Sequence, residues 1–141
     1  KIFSVINGAY VETVIIRDPF CGSSDWQRRN LFRFVTVLLN RVKEVEHIVI
    51  HCRELHYKDA NYEASYFIND SLEALLKPLI SKVTVEMHSF KDKKEFHDRS
   101  VDIKILDAEG ASVLHKYDLS GGIDKLMDIQ SATKVYRYES L

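Results

Sequence analysis

The stretch FHDRSVDIKI, residues 96–105, predicts a strand and a candidate site beside it. Apolar and polar residues alternate from Val101 to Ile105, which is the pattern of a strand with one face in the core. His97 and Arg99 continue the alternate positions of Val101 and Ile105, so in an unbroken strand their side chains would point to the core face. They can face an anion only if the strand begins after Arg99. A titratable donor beside a fixed cation is typical of phosphate binding. The alternative is that His97 and Arg99 are merely exposed to solvent where the strand begins.

The flanks of this stretch extend the prediction in both directions. Three lysines, Lys91, Lys93 and Lys94, lie just before it and raise the local positive potential. Downstream, residues 107–110 read Asp-Ala-Glu-Gly, which predicts a hairpin turn, and a returning strand runs through Val113 and Tyr117. The predicted anion-binding set at this point is therefore His97, Arg99 and Lys94.

The rest of the chain alternates between strand and helix patterns. Strands are predicted at residues 10–16, 47–52, 83–87 and 134–138, and helices at 24–42, 61–77 and 120–127. The first helix opens on Ser24 and Gln27, which match a capping box, and Pro78 ends the second. Residues 1–7 are an apolar lead-in that suggests an edge strand. This order predicts an α/β fold, a mostly parallel or mixed sheet flanked by helices, with a β-hairpin after the third strand.

Composition limits the function classes. The chain has 141 residues, 45% of them hydrophobic and 29% charged, which predicts one domain over residues 1–141. A net charge of -1 argues against coating nucleic acid by bulk charge, so any anion site must be local. Two cysteines make no disulfide framework and favour a reducing compartment, the cytoplasm. A start at Lys1 rather than methionine predicts a fragment of a longer chain.

Four short motifs, taken in order, resemble one known family. They are the strand end at residues 15–20 (IIRDPF), the helix stretch at 30–34 (NLFRF), the triplet at 97–99 (HDR) and the stretch at 122–124 (GID). In this order they resemble the phospholipase D-like domain found after MIT domains, the MIT C-terminal family, over most of the chain. One departure is Gly121, where that family carries an arginine. The resemblance implies a single phospholipase D-like half-domain that forms a homodimer.

The resemblance also bears on catalysis. The wider phospholipase D superfamily uses His-x-Lys-x4-Asp, with the histidine as nucleophile, and two such motifs form one site. Here His97 is present, but Arg99 stands at the lysine position and Lys104 at the aspartate position. Asp98, Asp102 and Asp107 remain as alternative orienting carboxylates. The sequence therefore favours a retained fold with lost chemistry, and if the chain is an enzyme His97 is its nucleophile.

Other candidate sites have simpler alternatives. Arg29 and Arg33 share one side of the first helix, where they can bind phosphate or serve only as a solvated face. His51 and Cys52 are adjacent on a strand, so they point to opposite faces and make a poor metal site. No metal and no cofactor are predicted. Cys21 precedes a helix start, where a lowered pKa is one hypothesis and an unreactive loop cysteine the favoured one.

Three functions stay open. The first is a non-catalytic binding and dimerisation module that docks an anionic membrane lipid, such as a phosphoinositide, or a protein partner, because the MIT-linked family associates with ESCRT machinery and acidic lipids. The second is a dimeric phosphodiesterase or nuclease. The third is a sensor or assembly domain of a larger bacterial protein, such as a defence system. The first is favoured, with peripheral membrane attachment, and nucleic acid ranks below lipid and protein as a partner.

Overall fold

Six strands and one long helix account for most of the residues that the computed structural model describes, which are 6–19, 21, 25–53, 72–88, 99–119, 123, 127 and 135–140. Residues 72–76, 123 and 127 are also helical. The elements in chain order are β1 (Tyr10–Arg17), α1 (Asp25–Arg41), β2 (Glu44–Arg53), β3 (Val83–His88), β4 (Ser100–Leu106), β5 (Ser112–Leu119) and β6 (Val135–Ser140). The α/β class is confirmed, and within the described residues the strands and helical segments follow the predicted order.

The strands form one mixed sheet in the order β3-β2-β1-β4-β5-β6. β1 pairs in parallel with β2, and β2 in parallel with β3. β4 lies antiparallel to β1 on its other side, and β5 and β6 continue the antiparallel half. Parallel pairing is thus confined to the first three strands, so the sheet is mixed rather than mostly parallel.

One face of the sheet carries the core. Along β1 the side chains of Val14 and Ile16 are fully buried, whereas Ile15 and Arg17, which point the other way, are only partly buried. Buried residues of α1 and of segment 72–76 belong to the same core as this face. Two right-handed crossovers that step in the same direction place their helices on the same face of a sheet. The described helices therefore cover one face instead of flanking the sheet on both.

The opposite face is polar and half-buried. It carries His47, Val49 and His51 of β2, Thr84 and Glu86 of β3, and Asp102 and Lys104 of β4. The nearly continuous apolar run of β2, residues 47–52, is typical of a strand covered on both faces. In the structure Ile48 and Ile50 are fully buried but Val49 is not. This second side of the sheet therefore keeps contact with solvent.

Helix α1 is amphipathic. Its inner side contributes the core residues Leu31, Phe34, Val35 and Leu38. It begins at Asp25, one residue after the predicted cap; Ser24 itself lies outside the described residues. Its outer side presents five exposed residues at spacings of three or four, which share one stripe of a helix. We call them the α1 outer stripe: Trp26, Arg29, Arg33, Val37 and Asn40.

The ends of two other predicted elements can be compared with the structure. The helical segment 72–76 stops just before Lys77 and Pro78, as expected, while the rest of the predicted helix from Asn61 lies outside the described residues. Ile6 is fully buried in a short helical turn. The suggested edge strand is therefore wrong at Ile6 and Asn7, and residues 1–5 lie outside the described part.

Strand β4 and its hairpin follow the prediction closely. β4 begins at Ser100, so Arg99 precedes the strand as the anion-site hypothesis requires. Val101 and Ile103 are fully buried. In the turn, Asp107 Oδ1 accepts hydrogen bonds from the Glu109 and Ala111 amides at 2.9 and 2.8 Å, and Gly110 adopts a φ of 82°. An acidic side chain that bonds the following backbone and a glycine with positive φ are what such a turn needs.

Candidate functional site

Three parallel strands end at one edge of the sheet, which we call the carboxyl edge. β1 ends there at Arg17, β2 at Arg53 and β3 at His88. β4 begins at the same edge, because Ser100 pairs with Arg17. Ligands of open α/β sheets bind outside the carboxyl ends of the strands. The carboxyl edge is therefore the first place to look for a site.

The predicted site residues fall on two elements near this edge. Arg99 lies at it, half-buried, and its carbonyl oxygen accepts a hydrogen bond from the Leu119 amide at 2.8 Å. Arg29 and Arg33 are exposed in the first half of α1, which the chain enters from the end of β1. His97 and Lys94 lie outside the described residues. The structure thus places Arg99 on the edge and the other two arginines on the outer stripe.

Asp18 joins two separate parts of the sequence at the carboxyl edge. It is 3% exposed, and its Oδ2 atom accepts a hydrogen bond from the Ile123 amide at 2.8 Å. Its own amide donates to the His51 carbonyl at 3.1 Å, which fixes the end of β1 against β2. Two of the four family-like motifs, the Asp18 strand end and the stretch at 122–124, therefore meet in space. Neither motif alone indicated this contact.

Cys21 and Cys52 lie together under this edge. Both thiols are buried, and their side chains form a hydrogen bond. This hydrogen bond and burial, with the nearby charge of Asp18, raise the pKa of Cys21 well above its ordinary value. The hypothesis of a lowered pKa is wrong, because the hydrogen bond with Cys52 and the burial of the thiol outweigh its place before a helix. Cys21 is not a candidate nucleophile.

The raised pKa of Cys21 predicts that the protein loses stability at alkaline pH. Above the ordinary thiol pKa of about 8.5, Cys21 ionises in the unfolded chain but stays protonated in the fold. The native state then binds more protons than the unfolded state, so the free energy of unfolding falls as pH rises, by at most about 1.4 kcal/mol per pH unit. We expect urea titrations in a reductant to show a shallower fall for Cys21→Ala than for the unchanged protein. Equal slopes would contradict this account, since the other titrating groups are common to both proteins.

The polar face of the sheet carries cross-strand ion pairs. Arg17 Nη1 donates to Asp102 Oδ2 at 2.7 Å, with side chains 37% and 11% exposed. His51 Nδ1 lies 3.4 Å from Glu86 Oε2, and Lys104 Nζ lies 3.5 Å from Glu12 Oε2. Arg17 and Lys104 thus each have a carboxylate neighbour. The charges of this face therefore stabilise the sheet locally and make it a weak anion site.

The same pairs bear on the catalytic hypothesis. Lys104, at the position of the superfamily aspartate, contacts Glu12 in the middle of the sheet. Asp102 binds Arg17, and Asp107 binds amides of the hairpin turn. Asp107 also follows the far end of β4, about 23 Å along the strand from Ser100. Both carboxylates thus have structural partners, and Asp107 lies far from the carboxyl edge. Asp98 lies outside the described residues.

Helix α1 concentrates positive charge. It carries four arginines, Arg28, Arg29, Arg33 and Arg41, against one aspartate, Asp25, which gives it a net charge of +3 in a chain of net charge -1. Arg29 and Arg33 are exposed one turn apart, and Arg33 Nη1 lies 3.4 Å from Asn30 Oδ1. The outer stripe therefore presents two exposed arginines, one turn apart, on a helix with excess positive charge.

Two other kinds of site can be compared with this surface. A shallow cavity of about 40 Å³ lies at the opposite edge of the sheet, where its lining includes Glu12, Glu44 and Glu46. Three carboxylates make it unsuitable for an anion. Within the described ranges, no three histidine, cysteine, aspartate or glutamate side chains are grouped as a metal site would require.

Comparisons with known proteins add no assignment. No family model matches the chain, and no curated protein matches it. The resemblance to the MIT C-terminal family therefore stays a prediction. In the described part of the chain, no helix combines the length and the apolar character that crossing a membrane requires.

Proposed function

We propose that this domain is a non-catalytic binding module that docks on anionic membrane lipids, including phosphoinositides, through the outer stripe of α1. The observation that carries the proposal is the pair of exposed arginines, Arg29 and Arg33, on the outer stripe of a helix whose net charge is +3 in a chain of net charge -1. A helix with basic residues on its exposed face is attracted to anionic lipid headgroups, at about 1 kcal/mol for each lysine or arginine near the surface.

The anchoring of α1 supports the same proposal. Leu31, Phe34 and Leu38 hold its inner face on the sheet, so the helix backbone that carries the arginines does not need to be ordered on binding. A preformed surface avoids much of the entropic cost of association. The rest of the chain has a net charge of -4, so the positive charge of the chain is concentrated on this helix relative to the sum of the remainder.

The arrangement of carboxylates supports the non-catalytic part of the proposal. A phosphohistidine mechanism needs an orienting group for its histidine and a second acid for the leaving group. Two of the three alternative carboxylates, Asp102 and Asp107, are bound to Arg17 and to turn amides. We expect negligible hydrolysis of phosphodiester substrates by the unchanged protein, and no difference from it in His97→Ala. Turnover that does disappear in this variant would restore the enzyme hypothesis.

The lipid proposal is tested by co-sedimentation with vesicles of phosphatidylcholine, alone and mixed with phosphatidylserine or a phosphoinositide. The double variant Arg29→Ala/Arg33→Ala should weaken binding to the anionic vesicles by about 2 kcal/mol, roughly thirtyfold. Both side chains are exposed, so the variant should fold as the unchanged protein does.

The matched control removes two exposed cations from outside α1. Lys82→Ala/Lys116→Ala changes the net charge by the same amount at exposed positions near β3 and on β5. If binding follows total charge alone, the two double variants will weaken it equally, and the proposed surface is wrong. If the protein ignores all vesicles and instead retains a protein partner through Arg29 and Arg33, the ligand assignment is wrong.

The homodimer is a separate part of the proposal. The resemblance implies it, and so does the apolar lead-in at residues 2–5, which lies outside the described part. A dimer would double the number of cationic helices that meet one membrane, and linked binding raises apparent affinity without new contacts. Light scattering should give about twice the formula mass of 16.4 kDa. A monomer at all concentrations would remove both the dimer and any composite active site.

A further inference from the structure

The outer stripe of α1 contains large apolar side chains as well as arginines. Trp26 is 54% exposed and Val37 is 40% exposed. Along a helix, their positions lie about 16 Å apart, with Arg29 and Arg33 between them. Isolated exposed apolar residues are common and need no explanation. Here, however, two of them share one stripe with two cations, on a helix that packs by its other side.

This arrangement matches the chemistry of a lipid interface. Tryptophan prefers the boundary between headgroups and acyl chains, because its ring is apolar while its N–H still finds a polar partner. Helices that lie in this boundary combine apolar residues with basic ones. Since the inner side of α1 is buried against the sheet, only the outer stripe can enter the boundary, and it can do so only to the depth of its side chains.

We infer that Trp26 inserts at the headgroup level of an anionic bilayer and anchors the domain there, with Arg29 and Arg33 binding lipid phosphates beside it. The inference rests on the proposed function and adds the mode of binding. Charge favours attraction to the membrane, and burial of the indole slows release from it. A protein partner or a second copy of this chain would cover the same stripe without placing Trp26 in a bilayer. Tryptophan fluorescence with and without vesicles distinguishes these occupants.

The test uses the fact that Trp26 is the single tryptophan of the chain. Its emission therefore reports on this one side chain. With vesicles of phosphatidylcholine and phosphatidylserine, we expect a shift to shorter wavelength, protection from iodide, and quenching by brominated lipids. Phosphatidylcholine vesicles alone should give no shift. These results together would support insertion.

A pair of variants tests the contribution to affinity. Trp26→Ala should weaken binding to the anionic vesicles by roughly tenfold, in line with partial burial of one aromatic ring. Tyr10→Ala is the control, because Tyr10 is 47% exposed but lies at the start of β1, outside α1. It should leave vesicle affinity unchanged.

The failures of the two proposals are distinguishable. If the protein sediments with anionic vesicles but Trp26 emission stays the same and Trp26→Ala binds normally, insertion is wrong and the lipid-docking function stands. If the protein does not sediment, the function itself is wrong. If emission shifts with protein concentration in the absence of vesicles, the stripe contacts a second copy, and insertion is overturned.

Discussion

Phe34→Ala is expected to lower the free energy of unfolding by about 3–5 kcal/mol, the largest effect of any single change considered for α1. Phe34 is 2% exposed and is among the largest fully buried side chains, where α1 meets the apolar face of the sheet. Removing the ring leaves a cavity that the surrounding strands can close only in part. Domains of this kind are stable by only about 5–15 kcal/mol, so the variant should lose a large part of its stability.

Urea unfolding followed by circular dichroism measures this loss. Val37→Ala is the matched control on the same helix, since Val37 points outward and is 40% exposed. Its effect should stay within about 0.5 kcal/mol. Equal effects of the two changes would mean that α1 is not held to the sheet by its inner face. The outer stripe would then have no fixed orientation, and both proposals on it would lose their basis.

Asp18→Ala is expected to cost about 2–3 kcal/mol, because a buried amide loses its acceptor. Asp18 Oδ2 accepts from the Ile123 amide at 2.8 Å, and the pair is buried. Alanine leaves the Ile123 N–H without this bond in a place that water does not easily reach. Asp18→Asn keeps an acceptor oxygen and should recover part of the loss.

Thermal unfolding of three variants checks this contact. Asp118→Ala is the control, because Asp118 is an exposed carboxylate near the same edge, at the end of β5. Its melting temperature should stay close to that of the unchanged protein, while that of Asp18→Ala falls by several degrees. If Asp18→Ala melts no lower than Asp118→Ala, the link between the end of β1 and the stretch at 122–124 contributes nothing to the fold.

The sequence predicted local features well for a physical reason. The hairpin at 107–110 is encoded within four residues, by an aspartate that bonds nearby amides and a glycine that accepts positive φ. The inner face of α1 is encoded by apolar spacing. The start of β4 was not fixed in this way, because the alternation fits a strand that begins before or after Arg99.

Contacts between distant residues could not be predicted in this way. Arg17 and Asp102 are 85 positions apart, and their ion pair depends on β1 lying beside β4 in one register. The contact between Cys21 and Cys52 depends likewise on where the chain turns after β1. No local sequence feature of β2 shows whether one or both of its faces are covered. The polar face of the sheet is therefore more exposed at β2 than its apolar run indicates.

The same difference between local pattern and long-range packing decides which residues of the candidate site could be predicted. Arg29 and Arg33 could be placed on one helix side from their spacing alone, and the structure puts both on the exposed stripe. Trp26 was not singled out, although its spacing to Arg29 and Arg33 carried the signal. Its role depends on exposure, which is known only once the packing of α1 is known. Arg99 lies just before β4, one of the two placements that the sequence left open, and its part in binding stays a prediction.

The central claim is that this domain binds anionic membranes by local charge, and one measurement tests it most directly. It is the dissociation constant of the unchanged protein for phosphoinositide-containing vesicles, measured across a series of salt concentrations beside phosphatidylcholine vesicles. The account predicts clear binding to the anionic vesicles at low salt, progressive weakening as salt screens the arginines, and little binding to the neutral ones. Equal binding to both vesicles, or no binding to either at low salt, would contradict it.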